Sequence, residues 1–112
     1  MNVRISSDQI RFRVNRSELD ALKRGNPVMT ELIFPVGGPL SCIITATVGG
    51  LASRMLSVNG KGNNIHLLVS HQALEKLADA RGREAQIETI EDLGGNRRLV
   101  CQLEVDFKQK LT

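Results

Sequence analysis

The sequence predicts an α+β domain made of two tandem β-β-α-β-β units, and three observations predict it. Ile10-Arg11-Phe12-Arg13-Val14 and Ile65-His66-Leu67-Leu68-Val69 both read as half-buried strands, the first alternating without a break. Each runs directly into a short helical segment with a polar cap residue, Asn15 or Ser70. Each helix is followed by two further strand-like segments joined by a glycine-rich turn. A constant offset of 55 residues sets Ile10 on Ile65, Leu19 on Leu74, Leu22 on Leu77 and Leu32 on Ile87. Beyond the unequal hairpin loops, Cys42 falls on Cys101.

The elements follow in order. Val3-Arg4-Ile5 opens a strand that turns near Asp8 and returns through residues 10–14. Asn15-Arg16-Ser17-Glu18 has the capping-box pattern, in which the cap side chain and the third-position carboxylate each satisfy a free backbone N–H. Leu19 and Leu22 share a face of this helix, and Gly25 and Pro27 stop it. Strands over 29–34 and 40–48 flank the turn Pro35-Val36-Gly37-Gly38-Pro39, and Gly49-Gly50 joins the halves. In the second half, strands over 54–58 and 65–69 flank the turn Asn59 to Asn63. Ser70 caps a helix that buries Leu74 and Leu77 and ends at Gly82. Strands over 85–90 and 97–107 then enclose Leu93-Gly94-Gly95-Asn96.

One such unit has a sheet face that one short helix cannot cover. Two units related by a pseudo-twofold axis close the core, as a small antiparallel β-barrel or as a two-sheet core with two helices. A chain of 112 residues suits one domain over residues 1–112, with pseudo-repeats 1–50 and 51–112. Only three aromatic residues are present, Phe12, Phe34 and Phe107, so the core is aliphatic.

Charge excludes little. The formal net charge is +3. Residues 1–50 hold six basic and four acidic side chains, and residues 51–112 hold nine and eight. Such dispersal differs from the one-sided basic face of a dedicated nucleic-acid binder. No apolar run approaches the about 20 residues needed to span a bilayer, and no leader pattern opens the chain. With two widely separated cysteines, this predicts a cytoplasmic protein with reduced thiols.

The alternating strands place Arg4, Arg11, Arg13, Glu88 and Glu104 opposite the apolar set. Two readings compete. They form cross-strand ion pairs on a solvated face, or they line a polar site where arginines grip a phosphate or carboxylate at two points. His66 and His71 lack the convergent partners of a zinc site, so no metal is expected. Cys42 and Cys101, set among apolar neighbours, read as buried small hydrophobes. Arg97-Arg98, Arg81-Gly82-Arg83 and Arg16 could touch nucleic acid, but the aromatics that stack on bases are scarce. No phosphate-loop, dinucleotide-binding or nucleophile-elbow pattern occurs, and no cofactor or catalytic residue is assigned.

The opening Met1-Asn2-Val3-Arg4-Ile5, then Ile10-Arg11-Phe12-Arg13-Val14 and Ser17-Glu18-Leu19, resembles a family of short bacterial proteins without an assigned function. Those open M-K-I-R-I, continue I-R-x-R-L and place S-E before an aliphatic residue. Glu104-Val105-Asp106-Phe107-Lys108 is similar to their E-x-D-F-K ending, while the first loop and residues 43–48 depart from it. The resemblance implies a shared fold and no activity. The expected function is a binding or protein-interaction module, either a homodimer or bound to another protein. The alternatives are a barrel that binds or processes an anionic phosphate ligand, and a nucleic-acid binder.

Overall fold

A computed structural model describes residues 1–47, 54–80 and 85–106. Their elements are β1 (Asn2–Ile5), β2 (Gln9–Asn15), α1 (Arg16–Lys23), β3 (Val28–Leu32), β4 (Leu40–Thr47), β5 (Leu56–Lys61), β6 (Asn64–Ser70), α2 (His71–Asp79), β7 (Gln86–Gly94) and β8 (Arg97–Asp106). The element order agrees with the α+β expectation. The expected glycine joint at 49–50, the Arg81-Gly82-Arg83 cluster and Phe107 lie outside the described residues.

The strands form two four-stranded sheets, ordered β1-β2-β8-β7 and β3-β4-β6-β5, and no closed barrel. The expected purely antiparallel arrangement is corrected too, because the central pair of each sheet is parallel. The cause is connectivity. Each sheet joins two hairpins, β1–β2 with β7–β8 and β3–β4 with β5–β6, and the two meet through strands running the same way. Ile10 pairs with Cys101 and Phe12 with Leu103, while Cys42 pairs with Ile65 and Ile44 with Leu67. Val28 stands opposite Ile44 as Ile87 stands opposite Leu103. The positional counterpart of Ile87 is therefore Val28, not Leu32, because more chain separates the helix from the next strand in the second half.

One apolar cluster unites both sheets and both helices. Phe12, Val14, Ile44, Leu56, Leu67, Val69 and Leu103 line the facing sheets, and Leu19, Leu22, Leu74 and Leu77 close it from the helices. These positions alternate along β2, β4, β6 and β8, as a pleated strand with one covered face requires. Among the described residues no polar or charged side chain is buried.

The helix boundaries follow their local chemistry. Asn15 Oδ1 accepts from the Glu18 N–H at 2.8 Å, and Glu18 Oε1 accepts from the Asn15 N–H at 3.0 Å. The other Glu18 oxygen accepts from the Met1 ammonium at 2.8 Å, so one carboxylate ties β1 to the start of α1. Gly25 adopts φ +89°, the left-handed conformation that ends a helix. Ser70 Oγ accepts from the Ala73 N–H at 3.1 Å, and α2 ends at Asp79, earlier than Gly82. The β5–β6 turn is tighter than expected. Lys61 still pairs with Asn64, leaving only Gly62 and Asn63 between them, with Gly62 at φ +59°.

Candidate functional site

Two surfaces can carry function, one on the solvent side of a sheet and one along a sheet edge and the loop beside it. The first contains every residue singled out by the polar alternation. Arg4 is the cross-strand partner of Arg11, Arg11 of Gln102 and Gln102 of Glu88. In the next row, Arg13 partners Glu104, and Glu104 partners Gln86. Along β2 and β8 their neighbours are core residues, so these side chains point away from the apolar cluster.

Hydrogen bonds link most of them. Glu104 accepts from Arg13 Nη2 at 3.1 Å and lies 3.4 Å from Arg11 Nε. Gln102 Oε1 accepts from Gln9 at 3.0 Å and Arg11 at 3.3 Å, while its amide donates to Glu88 at 2.6 Å. Half-exposed pairs of this kind contribute a few tenths of a kcal/mol each, about 0–1 at most. Arg4 is exposed and has no ion-pair partner among the described residues. The five residues do come together, but on an open face and not around an enclosed cavity.

The second surface was not anticipated. Of the eight large apolar side chains left exposed among the described residues, five fall in one stretch: Met29, Leu32, Ile33, Phe34 and Val36. Val36 is 90% exposed and Ile33 72%. They occupy β3, at an edge of its sheet, and the loop leading to β4. In the sequence, residues 29–34 read as an ordinary strand. The available signal was the unbroken apolar run Leu32-Ile33-Phe34, which a strand with one covered face does not need.

Other candidates carry less. An open cleft of about 730 Å³ at the β7–β8 turn is lined by Asp92, Gly94, Gly95, Asn96, Arg97 and Arg98. Three successive residues, Gly94, Gly95 and Asn96, have positive φ there, as the turn chemistry predicts. This cleft is a hairpin tip surrounded by solvent, apart from the arginine face. His66 shares a 2.9 Å hydrogen bond with Thr45, and His71 opens α2. Among the described residues no three metal-ligating side chains converge.

Cys42 and Cys101 are buried free thiols, consistent with the hydrophobe reading. Burial raises both thiol pKa values. Cys101 is pushed up to about 12, by desolvation first and by the nearby Glu91 carboxylate second. A thiol held protonated is a poor nucleophile. No described helix is long and apolar enough to cross a membrane.

The fold and its open faces thus define a small two-sheet α+β protein. A family of unknown function, DUF7009, matches residues 1–110, and the chain belongs to that family. No curated protein and no solved structure matches it.

Proposed function

We propose that this protein is a protein-interaction module whose contact surface is β3 with the loop that follows it. The observation that carries this reading is the concentration of exposed apolar side chains from Met29 to Val36 along an uncovered sheet edge. Single exposed apolar residues are ordinary, but a contiguous run marks a contact surface. The thiols support the non-catalytic side of the reading, and their free, buried state suits a reducing, cytoplasmic setting.

The test is site-specific photocrosslinking in the source organism. A photoreactive residue at Val36 is expected to give discrete adducts of higher mass, and the same residue at Arg4, on the other sheet, none. Adducts from Arg4 alone would move the contact to the arginine face and sink this assignment.

A second reading rests on that face. Arg4 and Arg11 lie side by side with only Arg11 near a carboxylate, an arrangement suited to binding a small phosphate-bearing anion. Arg13, Glu88 and Glu104 would fix the arginines in place. Titration with pyrophosphate at low salt should shift the amide signals of Arg4 and Arg11 in the wild type. The Arg4→Ala/Arg11→Ala variant should lose that response while staying folded. Unmoved wild-type signals at millimolar pyrophosphate would end the anion reading.

The domain reading is part of the proposal: one domain over residues 1–112, built by duplication of a unit represented by residues 1–50 and 51–112. The paired registers support it. Ile10 faces Cys101 as Ile65 faces Cys42, and Asn15 faces Asp106 as Ser70 faces Thr47. The same positions in each half supply the cap, the central strand and the buried cysteine.

A further inference from the structure

We infer that the partner taken by the β3 surface is a second copy of this chain, joined by antiparallel pairing of β3 with β3 of the partner. This rests on the interaction-module reading and names its partner.

The four edge strands are not equally protected. β5 packs against β7 and β8, so the edges of β5 and β7 are engaged with each other's sheets. Among the described residues, neither β1 nor β3 makes a comparable contact with a strand of the other sheet, although β3 touches α1. β1 is four residues long and carries Arg4, and short, positively charged edges resist pairing. β3 carries one charge, Glu31, and its exposed side chains are otherwise apolar. Pro27 and Pro35 bracket it and confine any added strand to the residues between them.

Register follows from charge and face. Antiparallel partners share a face of the sheet, so a two-fold must pass through a residue of β3. A two-fold at Glu31 would set two carboxylates opposite each other, which is destabilising. A two-fold at Thr30 sets Thr30 opposite Thr30 of the partner, a pairing that strands favour through hydroxyl contacts. It also brings Leu32, 56% exposed at the strand end, against Val28 of the partner subunit on the core side. Met29 then covers the aliphatic stem of the partner's Glu31. The two sheets merge into one of eight strands. A strand of five residues is about 17 Å long, and so small a contact belongs with weak, reversible associations below about 1,200 Å².

Sedimentation of the purified protein over rising concentration, with hydrogen exchange at both ends of the range, tests this. A monomer–dimer equilibrium is expected, with slowed exchange of the 28–32 amides in the dimer and unchanged exchange in β1. Leu32→Lys, at an exposed site that leaves the fold intact, should weaken dimerisation by more than about tenfold. Leu93→Lys, at an exposed site on β7 of the other sheet, should leave it nearly unchanged. A dimer that tolerates Leu32→Lys, or that leaves the 28–32 amides unprotected, overturns the strand pairing. Wild-type protein that stays monomeric also overturns it. If Val36 crosslinks to other proteins in that case, the interaction module survives; if it does not, both readings fall.

Discussion

Phe12→Ala should destabilise the protein by about 3–5 kcal/mol, the range for deleting a fully buried aromatic ring from a packed core. Phe12 has no exposed surface and is the largest of the fully buried side chains. Its strand, β2, is central in its sheet, and its direct neighbours across the strands are Val3 and Leu103. Nothing on those neighbours can swing far enough to fill the space a ring leaves. With total stabilities of about 5–15 kcal/mol for domains of this kind, the variant should be partly unfolded at physiological temperature. Phe34→Ala provides the control, because Phe34 is 44% exposed and its loss should stay within about 1 kcal/mol. Urea unfolding of the two variants beside the wild type decides the matter. Equal midpoints would mean that Phe12 does not sit in a closed core.

The second large effect is alkaline instability set by the thiols. The Cys101 thiol has an ordinary pKa of 9.0 when unfolded and about 12 in the fold. Below pH 9 the thiol is protonated in both states, and stability does not depend on it. Between pH 9 and about 12 the unfolded chain loses this proton while the folded one keeps it, so stability falls as pH rises. The slope approaches about 1.4 kcal/mol per pH unit for one thiol. The raised pKa of Cys42 adds a contribution of the same sign. No tyrosine is present to titrate in the same range. Urea unfolding at pH 8 and near pH 10.5 should therefore give a loss of about 1–2 kcal/mol attributable to Cys101, and Cys101→Ala should flatten that difference. A disulfide-exchange reagent at pH 8 should label both cysteines only as fast as the protein opens. Rapid labelling of the native protein would contradict the burial that underlies the prediction.

The order of elements was legible because local chemistry specifies it. Asn15 with Glu18, Ser70 with Ala73, and Gly94-Gly95-Asn96 act within a few residues of themselves, and each formed the cap or turn its chemistry implies. The alternation in β2 and β8 likewise told core from solvent, and it placed Arg11, Arg13 and Glu104 together on one face. Sheet composition was not legible. Alternation says which side of a strand is covered, but not which strand lies beside it, and parallel pairing of β2 with β8 leaves no local mark. The surface of β3 escaped notice because an apolar strand at an edge and one in a sheet interior have the same residues. The run Leu32-Ile33-Phe34 hints at uncovered apolar surface, and the strand order then places β3 at an edge.

The parallel joins at the centre of each sheet impose an order on assembly. All four strands of the sheet β3-β4-β6-β5 lie between residues 28 and 70. That sheet is complete in sequence by Ser70, so its strands can pair before β7 and β8 have been made. The other cannot, because β2 waits for β8, and Ile10 meets Cys101, which lies 91 residues further along the chain. Until then the β1–β2 hairpin holds Phe12 against an unfinished surface. β8 is the keystone of this molecule: it gives β2 its second neighbour and β7 its only partner within the sheet, and a nascent chain that has not reached it has one sheet and two loose pieces of another.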